Sequence, residues 1–263
     1  MDRLNWFTPI VLMAFSLLIY PGHAKAQTEV DLALVLTVDI SNSMDTEEQE
    51  LQRQGFVEAF RSPLVHNAIS SGMLGRIAVA YLEWAGPSIQ YVTVPWMQIG
   101  DPEDALSFAD RLSQAPISRG PRTSISAAID ASMKLLSESN VEAVRRVIDV
   151  SGDGANNLGR SVTQARDQAS AQGVVINGLP LPLNRPGDSW NAENLEGYYR
   201  DCVIGGVGAF MIPVRERHQF AEAIKTKIIR EIAGVEPKAR IVPAQAPSVT
   251  RVNCGTGASS WPN

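Results

Sequence analysis

Cysteine and histidine are scarce in this chain, with two of the first and three of the second among 263 residues. A four-cysteine zinc site cannot be built from that stock. His66, His218, Cys202 and Cys254 also lack the paired spacing of a mixed site, and the two histidines read as surface or packing residues. Beyond the first twenty or so residues there is no apolar run long enough for a spanning helix. An excess of positive charge is missing too: 23 Lys and Arg against 28 Asp and Glu leave a formal charge of −5. That acidity argues against nucleic acid or an anionic membrane surface as the main partner. There is no Gly-x-Ser-x-Gly nucleophile elbow, and Asp39 lacks the second aspartate of a phosphatase-type pair. Gly205-Gly206-Val207-Gly208 lacks the strand–turn–helix setting of a dinucleotide loop. With 44% hydrophobic and 19% charged residues, the composition excludes disordered and fibrous classes.

What is present begins with a leader. Arg3 and the amino terminus give a weak positive region, and a mainly apolar stretch runs from Trp6 to Tyr20. Pro21-Gly22 breaks it, and Ala24-Lys25-Ala26 supplies a small-x-small cleavage pattern before Gln27. Residues 1–26 are therefore read as a signal peptide, and the mature chain is expected to be periplasmic or secreted, without a membrane span. In that compartment an even cysteine count favours a Cys202–Cys254 disulfide. Closing that loop would stabilise the fold by about 4 kcal/mol in the chain-entropy model.

From Val30 onward, strand-like and helix-like patterns alternate. Val30–Val38 is almost continuously apolar, as a strand buried on both faces requires. Strands are also read at Ile77–Leu82, Ile89–Val94, Val147–Val150, Val174–Leu179 and Phe210–Val214. Helical spacing is read from Thr46, over Pro102–Leu112, Ser124–Leu136 and Val162–Gln172, and over about Arg215–Ala233. Such alternation predicts an α/β fold, a mostly parallel sheet covered by helices on both sides. One domain is expected over residues 27–234. It contains a polar insertion at Pro180–Arg200, and a Pro-, Ala- and Ser-rich tail follows at residues 235–263.

Three loops carry the chemistry. Asp39-Ile40-Ser41-Asn42-Ser43 follows the first strand, Arg122-Thr123-Ser124 opens a helix, and Ser151-Gly152-Asp153-Gly154 follows the strand ending at Val150. In an open parallel sheet, loops beyond the carboxyl ends of the strands form the ligand crevice. A carboxylate and two hydroxyls at alternate positions can turn three hard oxygens to one point, which suits Mg2+, Ca2+ or Mn2+. Each loop also has a structural reading. Ser43, Asp45 and Thr46 could cap a helix, with Thr46 and Gln49 as a capping box; Thr123 could be an N-cap; Asp153 could be a turn aspartate. Glu83-Trp84 could line the same crevice or pack in the core.

In this order and context, Asp39, Ser41, Ser43, Thr123 and Asp153 resemble the metal-ion-dependent adhesion site of a von Willebrand factor type A domain. The likeness covers about Glu29 to Gly234 and is nearest an uncharacterised exported bacterial branch. It implies a doubly wound, mostly parallel six-stranded sheet of order 3-2-1-4-5-6 with an antiparallel edge strand. It also implies a divalent ion, usually Mg2+ (with Mn2+ or Ca2+ as alternatives), held by Ser41, Ser43 and Thr123, with Asp39 and Asp153 often acting through water. The remaining coordination position is implied to take an acidic side chain of a protein partner. Two departures stand out: Arg119-Gly120-Pro121-Arg122 precedes Thr123 where the family often has small glycines, and Ser-Gly-Asp-Gly replaces the commoner Thr-Asp-Gly. Arg119 and Arg122 could weaken cation binding or receive an acidic ligand, and Asn156 and Asn157 could add supporting hydrogen bonds. The expected function is an exported, non-catalytic, metal-dependent protein-binding module. The alternatives are a metal-assisted hydrolase, with Asp39 or Asp153 orienting a water, and a structural envelope domain with a vacant site.

Overall fold

The computed structural model describes residues 27–182, 192–234 and 251–255. The expected leader, most of the expected tail and the middle of the Pro180–Arg200 insertion lie outside the described residues.

The central strand β1 (Thr28–Asp39) owes its position to its composition. Leu32, Leu34, Leu36 and Val38 belong to one hydrophobic cluster and Ala33 and Val35 to another, so successive side chains feed opposite faces. It pairs in parallel with β2 (Ile77–Trp84) and with β4 (Val141–Gly152), Leu34 lying opposite both Val79 and Val147. β5 (Val174–Pro180) continues the parallel set beyond β4, and β3 (Gln90–Ile99) is the antiparallel edge beside β2. The sheet order is β3-β2-β1-β4-β5. One face is covered by α1 (Thr46–Arg61), α2 (Pro63–Ser70), α3 (Pro102–Gln114) and α7 (Phe220–Ala233), through Phe56, Phe60, Phe108, Ile224 and Ile228. The other is covered by α4 (Ile125–Glu138) and α5 (Val162–Ala171), and by α6 (Ala192–Tyr198) with the π-helical turn Tyr199–Val203 that continues it. Among the described residues, no helix is long and apolar enough to cross a membrane.

Three expectations need correction. The sixth strand at Phe210–Val214 is reduced to a single parallel bridge between Met211 and Gly178. Gly178 N–H donates to Phe210 O (3.0 Å), and Ile212 and Val214 donate to Gly178 O (3.0 Å) and Pro180 O (2.9 Å). The next bond of the ladder would need an N–H on Pro180, which proline lacks. On the other side, Ile176 N–H is taken by Gly205 O and Phe210 N–H by Asn177 Oδ1. Second, the capping box of α1 is formed by Asp45 and Glu48, one residue ahead of the Thr46–Gln49 pair. Asp45 Oδ1 accepts from Glu48 N–H (2.8 Å) and Glu48 Oε2 from Asp45 N–H (3.0 Å). Third, β3 runs through Pro95 to Ile99. It is an edge strand, and the register against β2 slips between the Val79–Met97 and Tyr81–Val94 pairs, where a proline is tolerated. The short α2 escapes a periodicity reading, and is started by Ser62 accepting from Leu64 N–H with Pro63 in the first turn.

Under the sheet lies a buried ionic cluster. Lys227 Nζ of α7 is 2.5 Å from both Asp149 Oδ1 of β4 and Glu231 Oε1. Asn177 Nδ2 also donates to Glu231 Oε1 (3.0 Å). Burial lifts both carboxyls against the pull of the ammonium, and Glu231, which also feels Asp149, is raised to about 7.

Candidate metal centre

The three loops meet at the carboxyl ends of β1 and β4. Asp39 ends β1, and its Oδ1 accepts from Ser41 N–H at 2.7 Å, folding the Asp-x-Ser turn back over the strand. Gly120 fixes the second loop to the first: Asn42 N–H donates to Gly120 O (2.9 Å) and Gly120 N–H to Ile40 O (3.0 Å). The hydroxyls of Ser41 and Ser43 lie 2.8 Å apart, and Ser43 Oγ donates to Asp153 Oδ1 at 2.8 Å. Asp39, Ser41, Ser43 and Asp153 thus form one hydrogen-bonded chain across loops 110 residues apart in sequence.

Thr123 is only 5% exposed and is not the cap of α4; Ser124 takes that role, its side chain accepting from Ala127 N–H. That leaves the Thr123 hydroxyl outside the helix-capping network. A Cβ placed on Gly154 would stand 4.0 Å from it, which sets the hydroxyl beside the third loop. Asn157 grips the Thr123 backbone from both sides: Oδ1 accepts from Thr123 N–H (2.9 Å), and its own N–H donates to Thr123 O (2.9 Å). Asn156 Oδ1 accepts from Ser126 N–H (2.9 Å), so the expected supporting hydrogen bonds of both asparagines are present.

Asp39 is wholly buried, and its second oxygen, Oδ2, has no hydrogen-bond partner. Burial, and then the nearby Asp153 carboxylate, hold its carboxyl well above the usual range, despite the bonds from Ser41 and a weaker one from the Asp153 backbone. Two carboxyls and a set of hydroxyls packed together, with one buried carboxylate oxygen of Asp39 unsatisfied, form a hard-oxygen donor set. Among the described residues, no three His, Cys, Asp and Glu side chains gather as a metal site, so a cation here would depend on the hydroxyls.

The two arginines of the second loop differ. Arg119 is a brace, its guanidinium donating to Asn42 O (3.2 Å) and Met44 O (2.7 Å). Arg122 is exposed and adopts φ +70°, the left-handed region where a side chain costs roughly 1–2 kcal/mol. Glu83 and Trp84 do not line the crevice. Both are buried, Glu83 paired with Arg53 of α1 and accepting from Thr93 Oγ1 (3.0 Å).

Three contributors escaped the sequence reading: Gly152, Tyr198 and Tyr199. A Cβ on Gly152 would fall 2.8 Å from Asp39 Oδ2 and 3.0 Å from Tyr199 Oη. The extra residue in Ser-Gly-Asp-Gly therefore lets a buried carboxylate and a tyrosine approach the same backbone. Gly152→Ala is expected to lower stability by about 1–3 kcal/mol through overpacking, read by urea denaturation. An unchanged midpoint would show that the contact is slack. The adjacent Tyr198-Tyr199 pair, two large aromatics side by side shortly before Cys202, was the available signal.

The fold is that of a von Willebrand factor type A domain, as solved structures show. Proximal thread matrix protein 1 from the mussel byssus aligns with a TM-score of 0.56 at 11% identity, over 79% of this chain and 49% of that one. A von Willebrand factor type A protein from Catenulispora acidiphila gives 0.55 at 11% identity, over 77% and 43%. The pilus adhesin SpaC from Lactobacillus rhamnosus GG gives 0.57 at 13%, over 77% and 31%. The chain thus spans about half or less of each of these proteins. The mussel protein is also known with zinc occupying its metal-ion-dependent adhesion motif. No curated protein matches the chain significantly. The chain belongs to the family described as "protein of unknown function (DUF1194)", whose model matches residues 29–236.

Proposed function

We propose that this protein is an exported, non-catalytic binding module. In this reading it holds a divalent cation, Mg2+ or alternatively Mn2+ or Ca2+, between Asp39, Ser41, Ser43, Thr123 and Asp153. The observation that carries the reading is Asp39 Oδ2, a buried carboxylate oxygen without a partner beside a second carboxyl. The bound ion would give the buried Asp39 oxygen a partner and offer one open position to an acidic side chain of a partner protein. Ser41, Ser43 and Thr123 offer neutral oxygens, which leave more of the ion's charge for that partner than a fully carboxylate cage would. The module would read its partner through charge and geometry at one point, the type of contact that sets specificity.

Calorimetric titration with Mg2+, Mn2+ and Ca2+, together with thermal melts, tests this directly. Saturating cation is expected to stabilise the fold, by about 2.7 kcal/mol at a hundredfold excess over Kd. Capture of an acidic-peptide ligand should be lost in chelator. No heat and no shift with any of the three ions would overturn the reading.

A further inference from the structure

The insertion between β5 and α7 has so far no role, yet it delivers two tyrosines to the candidate metal loop. We propose that it is a clamp, tethered by the Cys202–Cys254 disulfide, that holds the third loop in its cation-binding arrangement. The inference rests on the metal-binding reading above and concerns the regulation of that same site.

The clamp is built from consecutive residues. α6 ends at Tyr198 and passes into the π-helical turn Tyr199–Val203, so both tyrosines and Cys202, all three buried, share one short stretch. Tyr199 Oη donates to Gly152 O (3.2 Å), immediately before Asp153. Tyr198 Oη accepts from Asn156 N–H (3.2 Å), three residues after it. The two phenols therefore bracket Asp153 along the chain. The Tyr199 ring lies so close to β5 that a Cβ on Gly178 would stand 2.8 Å from its Cδ1. Glycines at the carboxyl ends of two neighbouring strands thus clear the space the ring fills.

The far side of the turn is anchored by residues 251–255. Cys254 is joined to Cys202, and Val252 N–H donates to Asp201 Oδ2 at 2.9 Å. Val252 also packs on α6, where a Cβ on Gly197 would meet its Cγ2 at 2.9 Å. Without the bridge, the turn is still met from this segment by the Val252–Asp201 bond, by Val252 packed on α6 and by the Arg251 charge near Asp201, and the covalent tie is lost. A π-helical turn is a sparsely used backbone form that neighbouring contacts must sustain. Cys254 is partly exposed, so a small thiol can reach it.

The test compares the wild-type chain, Tyr199→Phe, Tyr198→Phe and the folded wild type treated with dithiothreitol. That reagent gives two electrons and two protons to the Cys202–Cys254 bond, yielding two thiols and its own cyclic disulfide. Two readouts are taken: Mn2+ affinity by calorimetry, and amide hydrogen exchange over residues 152–157 without metal. Loss of a group that supports a ligand loop typically weakens metal binding about 10–100-fold. Reduction and Tyr199→Phe are each expected to weaken Mn2+ at least about tenfold and to speed exchange in that segment. Tyr198→Phe should speed exchange at Asn156, whose amide it leaves without an acceptor. Unchanged exchange over residues 152–157 after both reduction and Tyr199→Phe would overturn the clamp, whatever the affinity. Wild type that takes up no Mn2+, yet responds in exchange, would uphold the clamp while removing the metal reading.

Discussion

Asp39→Asn is expected to cut divalent-cation affinity on the order of 100-fold while leaving the metal-free protein at least as stable as wild type. Most substitutions of a wholly buried polar residue destabilise, so the second half of this result is the informative one. In the wild type, Asp39 Oδ2 is buried without a hydrogen-bond partner, and the Asp153 carboxylate lies near enough to raise the Asp39 carboxyl further. Ionised there, the group has lost its hydration and is repelled by its neighbour. Asparagine keeps the shape and the Oδ1 acceptor for Ser41 N–H, and removes the charge. Paired melts with and without Mg2+ read both quantities: the shift produced by cation should vanish, and the metal-free midpoint should hold or rise. A metal-free midpoint several degrees lower would mean that Asp39 is held by the fold for its own structural bonds.

Lys227→Met is the substitution expected to damage the fold most. Lys227 has two buried carboxylates at 2.5 Å and is itself buried. Removing the ammonium leaves Asp149 and Glu231 facing each other without a counter-charge, and breaking a buried pair in this way costs about 3–5 kcal/mol near neutral pH. For a chain of this size that corresponds to a fall in melting temperature of about 10 °C. The pH dependence follows from Glu231, whose carboxyl is raised from 4.5 to about 7 in the fold. A carboxyl raised on folding binds its proton more tightly in the native state. Its unfavourable contribution is therefore absent below pH 4.5, grows as pH rises, and is complete above about 7. Without Lys227 both carboxyls rise further, so the penalty of the variant should shrink steadily as the pH is lowered towards 4.5. Urea midpoints at the two ends of that range check it; a penalty independent of pH would point to lost packing of the lysine stem instead.

The sequence was most informative where one physical signal acts alone. β1 could be read from its unbroken apolar run, and α4 from Ile125, Ile129 and Leu136 on one face, because burial dictates both patterns. The loop residues Asp39, Ser41, Ser43 and Asp153 were legible because strand ends in a parallel sheet point to one crevice, and the structure joins all four. Position within a turn was less legible. Ser43, Asp45 and Thr46 can all act as caps, and only the backbone frame selects Asp45. The sixth strand failed for a reason outside its own segment: Phe210–Val214 has strand composition, but the missing donor belongs to Pro180. Tyr198 and Tyr199 reach the site through tertiary packing across β4 and β5, which no spacing within a single segment encodes.

Both margins of the sheet carry a proline, Pro95 in β3 and Pro180 at the end of β5. Each removes an amide donor from a margin that would otherwise template a further strand from another molecule. At the β5 side the stretch from Gly205 to Val214 also lies over the exposed carbonyls and amides. Strand addition, one way for a sheet protein to recruit an extended peptide or to stack with its own copies, is therefore blunted at both sides. The concentrated protein is therefore expected to resist fibrillar self-association, and in the binding reading proposed above a partner would be met at the loop end, where Asp39, Ser41, Ser43 and Asp153 lie.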